Sequence, residues 1–595
     1  NNSLYITRVL CISVLFLIVF DILEPVFGET TVNLILKQGE LQGDIEETFL
    51  KKQQYYSFRG VPYAEPPVAD LRFKPPKPLK EWSGLYKANT NKPTCLQYCF
   101  RGRMTEEFGI SGSEDCLYLS IFTPSVHGSA AVVVFDYNDN FRTGFNGTDA
   151  YSPDFFIEEG VIVVTINHRL DLFGYLTTED DSMPANNGVN DFILGLKWIR
   201  DNIEKFGGDP NRVTLMGSRG GSTLMNILLY TSKAKGLFTG VIMQGGSAME
   251  SAYFYENPRN IAFKLGEILG IKTDDSLKLL DELQKINATN ILEHETKILD
   301  ETFNKDNVYP FAPTVEHKNV DAILAEFPEN AQITNDVPVL VGFNSRDGLD
   351  LVSYFIIAPQ LLAEMESQQF YFNFPIRTGF KFDKNSSIYN NAIEEIKDFY
   401  LDGENLNYKN ILEYSVYFAD VLQNYATDFT AKKLSSALKS SVYYYMFDFR
   451  GALNENSEYL SRYTRTSLKF SGATVLDELC YLHLCNRIRK TYTKLIKLVS
   501  EQSEIKVLKK MVRLWTNFIK TGNPTPKAED DVLKNISWKP MDKGSVEKNY
   551  LHITKHLKMS TDPMSGRDKF WDDFLERYSQ LSIDGLITDR SREEL

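Results

Sequence analysis

Apolar residues along this chain recur with two alternating periods. Short unbroken runs such as Val132-Val-Val-Phe135 and Val161-Ile-Val-Val-Thr165 have the pattern of strands buried on both faces of a parallel sheet. Between Asp191 and Phe206 the apolar side chains Phe192, Ile193, Leu196, Ile199, Ile203 and Phe206 instead fall at helical spacing. Gly207-Gly-Asp-Pro210 stops that helix, and Val213 to Met216 opens the next strand. Val337 to Val341 and Ser441 to Phe447 read as later strands, while residues 255 to 300 and 385 to 440 look helical and mixed in charge. This succession predicts an α/β fold, a large and mostly parallel twisted sheet flanked by helices. The two helical stretches suit excursions packed over the strand ends.

Composition narrows the picture. No Pro/Gly/Ser-rich linker, internal repeat or low-complexity segment divides the 595 residues, so one large domain is expected. A hydrophobic content of 43% can fill an extensive core, and a net charge of −14 excludes DNA and RNA, whose recognition rests on a basic surface. Residues 9 to 20 are apolar apart from Ser13 and follow Arg8. That run is shorter than the ~20 residues a bilayer span needs, so residues 1–28 read as a secretory signal. An uncleaved anchor is the alternative. After cleavage no second stretch approaches membrane length. The expected division is therefore 1–28 signal, 29–575 domain and 576–595 tail.

Export permits disulfides, and the mature chain carries five cysteines, Cys95, Cys99, Cys116, Cys480 and Cys485, leaving at least one unpaired within the chain. Asn146, Asn287, Asn385 and Asn535 begin glycosylation sequons, which agree with a secreted glycoprotein. Arg592 to Leu595, Arg-Glu-Glu-Leu, departs at two positions from endoplasmic-reticulum retention tetrapeptides. Extracellular release and retention in the reticulum lumen both stay open, as does a plain frayed tail.

Candidate chemistry centres on Met216-Gly-Ser-Arg-Gly-Gly-Ser-Thr223. Strand, glycine turn and helix in that order form the elbow on which an α/β-hydrolase exposes a serine as Gly-x-Ser-x-Gly. Here Arg219 holds the middle position.

Several further blocks carry a resemblance. They are Phe58 to Pro67, Ser113 to Leu119, Asn167 to Leu170, Asn187 to Gly217, Trp515 to Pro524 and Phe570-Trp571. Together they resemble the type-B carboxylesterase family, which includes the cholinesterases. The resemblance implies the α/β-hydrolase fold and a disulfide between Cys95 and Cys116; it assigns no partner to Cys99, Cys480 or Cys485. It also implies a serine at Arg219, a histidine at Val475, an acid at Asp347, and an oxyanion loop of glycines at Tyr137, Asn138, Asp139 and Asn140.

Three of those four roles are lost in this sequence. A guanidinium has no lone pair to attack a carbonyl, and valine cannot exchange a proton. The oxyanion loop has lost the glycines that bring backbone donors close, and Asp139 could place negative charge where negative charge must develop. Ser218 and Ser222 flank the elbow apex without occupying it, and His483 stands eight residues past Val475. Triad members act as a unit, so triad hydrolysis is expected to be negligible. Arg219 is expected to pair with Asp347 first and Asp139 second, since a buried cation needs a counter-charge. His552 and His556 are four apart, a zinc-like spacing without a third ligand; neither metal nor cofactor is expected.

Family members without the triad include neuronal and glial adhesion proteins, so the leading expectation is a non-catalytic, secreted protein acting on protein partners. A non-hydrolytic binder of a hydrophobic ester, lipid or hormone in the old gorge is the first alternative. An ester hydrolase with relocated residues is the second.

Overall fold

The computed structural model describes residues 30–100, 108–144, 150–298, 309–316, 321–357, 370–463, 470–498, 500–527, 529–545 and 547–589. The signal segment, Asn146 and the Arg592 to Leu595 tail lie outside the described residues, as does the side chain of Cys99.

Twelve strands form the path of the main sheet: β1 Thr31–Leu36, β2 Gly39–Glu47, β3 Gln54–Pro62, β4 Tyr118–Thr123, β5 Ala130–Asp139, β6 Ile162–Ile166, β7 Gly208–Arg219, β8 Gly240–Gln244, β9 Val339–Asn344, β10 Val442–Phe447, β11 Asn549–Ile553 and β12 Leu557–Thr561. Their spatial order is 1-2-3-4-6-5-7-8-9-10-11-12. Neighbours from β6 to β11 pair in parallel, while β1 to β4 and the terminal β11–β12 hairpin are antiparallel. The predicted strands all form. The antiparallel ends carry weaker alternation, as at β2, where buried and part-exposed residues mix, and sequence reading passed over them.

Seven helices matter below: α1 Asp154–Glu158, α2 Asn187–Asn202, α3 Gly220–Tyr230, α4 Leu349–Ile357, α5 Ile411–Ala419, α6 Arg489–Ile496 and α7 Ser503–Thr521. The helix expected over 191–206 starts four residues earlier, because Asn186 takes a left-handed conformation at its N-cap. Its last turn tightens to a 3-10 form and closes on Gly207 at φ 75°.

Two apolar layers cover the sheet. Odd positions of β5, Val133 and Phe135, pack with Met216 of β7 and with Trp515 and Phe518 of α7. Even positions, Val132 and Val134, pack with Phe192 of α2 and Leu224 and Leu228 of α3. Phe570, Trp571, Phe574 and Tyr578 lie on a helix spanning Arg567–Leu581, and Leu586–Ile587 pairs with Lys381–Phe382. The folded part thus continues past the boundary expected at 575, because that helix has an apolar face to bury. No helix among the described residues is long and apolar enough to cross a membrane.

Candidate functional site

The elbow survives in the backbone. β7 ends at Arg219, whose φ of 53° and ψ of −119° lie where side-chain-bearing residues pay about 1–3 kcal/mol. The turn is tight enough that a Cβ at Gly217 would run into the Gly221 carbonyl. Arg219 therefore occupies the apex and faces a cavity of about 280 Å³, shared with Asp139, Arg142, Glu250, Asp347 and Phe418. Ser218 is buried within the sheet beside Tyr137, and the Ser222 hydroxyl donates to the Gly246 carbonyl at 2.7 Å. Neither lines the cavity.

The guanidinium is paired, and not with the first expected partner. Arg219 Nε lies 2.9 Å from Asp139 Oδ1, and Nη1 lies 3.7 Å from Asp350 Oδ2. The contact with Asp139 is ionic and lacks hydrogen-bond alignment. Burial works against the charge, and Asp139 and then Asp350 overcome it, so the pKa of Arg219 rises. Asp347 instead accepts from the Asn344 amide and from Gln423 Nε2, both at 3.0 Å. Register explains the outcome: Arg219 pairs with Asn138 across β5 and β7, which places Asp139 one residue from the apex. Asp350 carried no sequence signal beyond sitting three positions after the acid.

The base position is filled by packing. Val475 is 3% exposed within the apolar layer beneath Phe447 and Leu479. Asp347 Oδ1 consequently has no hydrogen-bond partner, and burial, with Glu478 nearby, pushes its pKa well above the carboxylate range. Glu250, also on the cavity, is raised to about 8 by burial. Burial therefore favours the neutral form of both carboxyls. His483 is not a substitute base. Its ring packs 4.4 Å from that of Phe135, and burial lowers its pKa to about 3.

The residues expected at the oxyanion loop form sheet and a side-chain network. β5 runs on through Asp139, and Asn138 and Asp139 pair with Gly144 and Thr143. The amide of Phe141 donates to Asn138 Oδ1 at 2.9 Å, and that of Arg142 to the Asp139 carbonyl at 3.0 Å, so these donors are spent internally. Tyr253 donates to Asn140 Oδ1 at 2.7 Å, while the Asn140 amide reaches Tyr309 at 3.2 Å. A Cβ at Gly220 would collide with Asn138 Oδ1. Asn138 thus fills space beside the elbow, and glycine next to Arg219 is its steric complement. Tyr137 packs edge-on against Tyr151 at 5.8 Å.

Among the other expected residues, Cys95 pairs with Cys116, and Cys480 pairs with Cys485, a bond the sequence left unassigned. Glu455 lies beside that second pair, the one metal-like cluster among the described residues; oxidised sulfurs offer no thiolate to a cation. His552 and His556 stand on the β11–β12 hairpin rather than on a helix. His552 Nε2 instead meets Asp448 Oδ2 at 2.9 Å. Asn287, Asn385 and Asn535 are exposed.

A parallel sheet whose order reverses at β5 and β6, with a glycine elbow at the carboxyl end of β7 facing a cavity, defines an α/β-hydrolase. The chain matches the carboxylesterase family over residues 29–571 and belongs to that family. It is similar to juvenile hormone esterase of Tribolium castaneum, 30% identical over 555 residues that cover 87% of this chain and 88% of that protein. Esterase FE4 of Myzus persicae is 29% identical over 537 residues, with the same coverage of 87% and 88%. The crystal structure of juvenile hormone esterase from Manduca sexta, with OTFP covalently attached, superposes with a TM-score of 0.72 at 24% identity. It covers 92% of this chain and 100% of that one.

Proposed function

We propose that this chain is a carboxylesterase-family protein that holds an uncharged ester-class ligand in the remnant gorge without triad hydrolysis. The carrying observation is Arg219 at the elbow apex, charge-paired with Asp139. No electron pair is available where acylation would begin.

The lining supports the ligand class. Arg142 and Arg219 both line the cavity, and a guanidinium donates to an oxygen but accepts from nothing. Their charges are already opposed, Arg219 by Asp139 and Arg142 by Glu295 at 3.4 Å. An additional charge on the ligand would lack compensation, so a neutral carbonyl oxygen suits the donors better than a carboxylate. Phe418 and Leu422 offer the apolar wall. At about 280 Å³ the space lies near the lower end of ordinary small-molecule pockets, about 300–1,000 Å³.

A hydrolase with relocated residues is the second reading, favoured because the relatives above carry esterase names. Thr143 supplies an aliphatic hydroxyl on the cavity, but no histidine lies on its lining. Those relatives give the adhesion reading no support. Secretion stays part of the proposal through the sequons and the amino-terminal apolar run.

The test pairs an active-serine phosphonate probe with calorimetric titration of a short-chain neutral ester and of its carboxylate product. The proposal expects no covalent labelling, no turnover, and saturable binding of the ester but not the acid. Binding should vanish in Ala252→Trp, which fills the cavity. Stoichiometric labelling or turnover above solvent background would establish the hydrolase reading instead.

A further inference from the structure

A second cavity lies away from the gorge. It encloses about 650 Å³ between α1, α6, α7 and the turn after β2, lined chiefly by Leu50, Phe155, Leu495, Ile505, Leu508 and Val512. Two of the few large apolar side chains exposed anywhere on the described surface stand at its mouth, Ile496 at 45% and Leu498 at 46%. Apolar side chains exposed singly need no explanation, whereas a contiguous patch continuing into an apolar groove does.

The charge around that mouth runs against the rest of the molecule. Residues 487 to 510 contain eight basic and two acidic side chains, within a chain of net charge −14. Lys490, Lys494 and Lys497 recur at four- and three-residue spacing, which puts them on one face of α6 and its continuation, while Tyr492 is buried. These three and Lys506 are exposed and make no ion pair among the described residues. The acids of the groove are already engaged: Glu158 accepts from the amides of Leu50 and Lys51, and Glu159 pairs with Lys51 and Arg513.

We propose that this face docks on an anionic lipid bilayer, with Ile496 and Leu498 entering the acyl boundary and the lysines facing the headgroups. Basic side chains beside an apolar insertion point are the two elements that peripheral membrane attachment requires, and together they give stable binding where either alone is marginal. A soluble polyanion would satisfy the lysines and leave Ile496, Leu498 and the groove behind them without a role. The surface lies outside the gorge lining, so it operates whatever the gorge binds.

The experiment is flotation of the full-length protein with vesicles of phosphatidylcholine alone or with phosphatidylserine added, at low and raised salt. Binding to the anionic vesicles should exceed binding to neutral ones by about tenfold or more and weaken with salt. Lys494→Glu with Lys497→Glu should lower it on the order of twentyfold. Ile496→Ser with Leu498→Ser should lower it about tenfold even at low salt. All four side chains are exposed, so thermal midpoints should match the parent and certify folding. Equal partition into neutral and anionic vesicles would overturn the proposal, as would no partition into either. Heparin binding with vesicle binding indifferent to the Ile496 and Leu498 replacements would make the patch a polyanion site and also overturn it.

Discussion

Two buried charge clusters in this protein treat their hydrogen-bonding capacity in opposite ways. Below the sheet edge, Lys548 donates to both oxygens of Asp428 at 2.9 and 2.8 Å and to Asp568 at 2.6 Å. All three ammonium protons are used, and Tyr444 adds a bond to Asp428 at 2.9 Å. In the former gorge, Arg219 has counter-charges, yet its Nε, Arg142 Nε and Asp347 Oδ1 lack hydrogen-bond partners. The first cluster spends every proton of its cation, although Asp568 Oδ1 is left without a partner. The second leaves guanidinium donors and a carboxyl oxygen unmatched, in residues that also line a cavity.

The comparison can be broken or sharpened by substitution. Lys548→Met should cost the most, about 3–5 kcal/mol in urea unfolding, because two buried carboxylates lose their buried counter-ion and keep only the partly exposed Lys432; a loss below ~1 kcal/mol would remove the structural role. Gly220→Ala should cost about 1–3 kcal/mol through its collision with Asn138. Adding Asn138→Ala should recover most of that, and additive losses would show that the two positions are not sterically coupled.

A smaller effect concerns pH. Burial raises Glu250 to about 8, so the native state keeps a proton that the unfolded chain releases near its ordinary value. The resulting stability is complete below the unfolded pKa and is lost as pH climbs toward 8. Its slope approaches 1.4 kcal/mol per pH unit, about the free energy of one pKa unit. Glu250→Gln should flatten the pH profile of the thermal midpoint across that window, and an unchanged profile would show that the carboxyl is ionised. The smallest expected change is for Asp347→Asn. Burial and Glu478 favour the neutral carboxyl, which is nearly isosteric with an amide, so stability at pH 7 should move by less than ~1 kcal/mol. A loss of several kcal/mol would mean that Asp347 is charged and that its charge stabilises the fold.

Much of the architecture was legible before any coordinates. Buried strands such as Val132 to Phe135 announce themselves because both faces are apolar, and the glycines around Arg219 mark a sharp turn whatever occupies its apex. The antiparallel edge strands were passed over, since half-exposed strands such as β2 mix polar and apolar residues without a clean period. His552 and His556 show a related ambiguity: a spacing of four fits a helix, yet they lie on a hairpin, where the same interval spans its turn. The Cys480–Cys485 bond depends on a local fold-back that spacing leaves undetermined.

What the sequence alone determined is the chemistry open to the side chains at the elbow apex and at position 475. Whether a side chain can surrender an electron pair or exchange a proton is a covalent property, so Arg219 and Val475 decide it wherever they lie. The tertiary structure decided the partners: Asp139 and Asp350 rather than Asp347 for the guanidinium, Asn138 for the space beside Gly220, and the exposed setting of Ile496 and Leu498 within a basic face. Pairing depends on distances across neighbouring strands and packed helices, and those are fixed by register and packing that no single stretch of the chain contains.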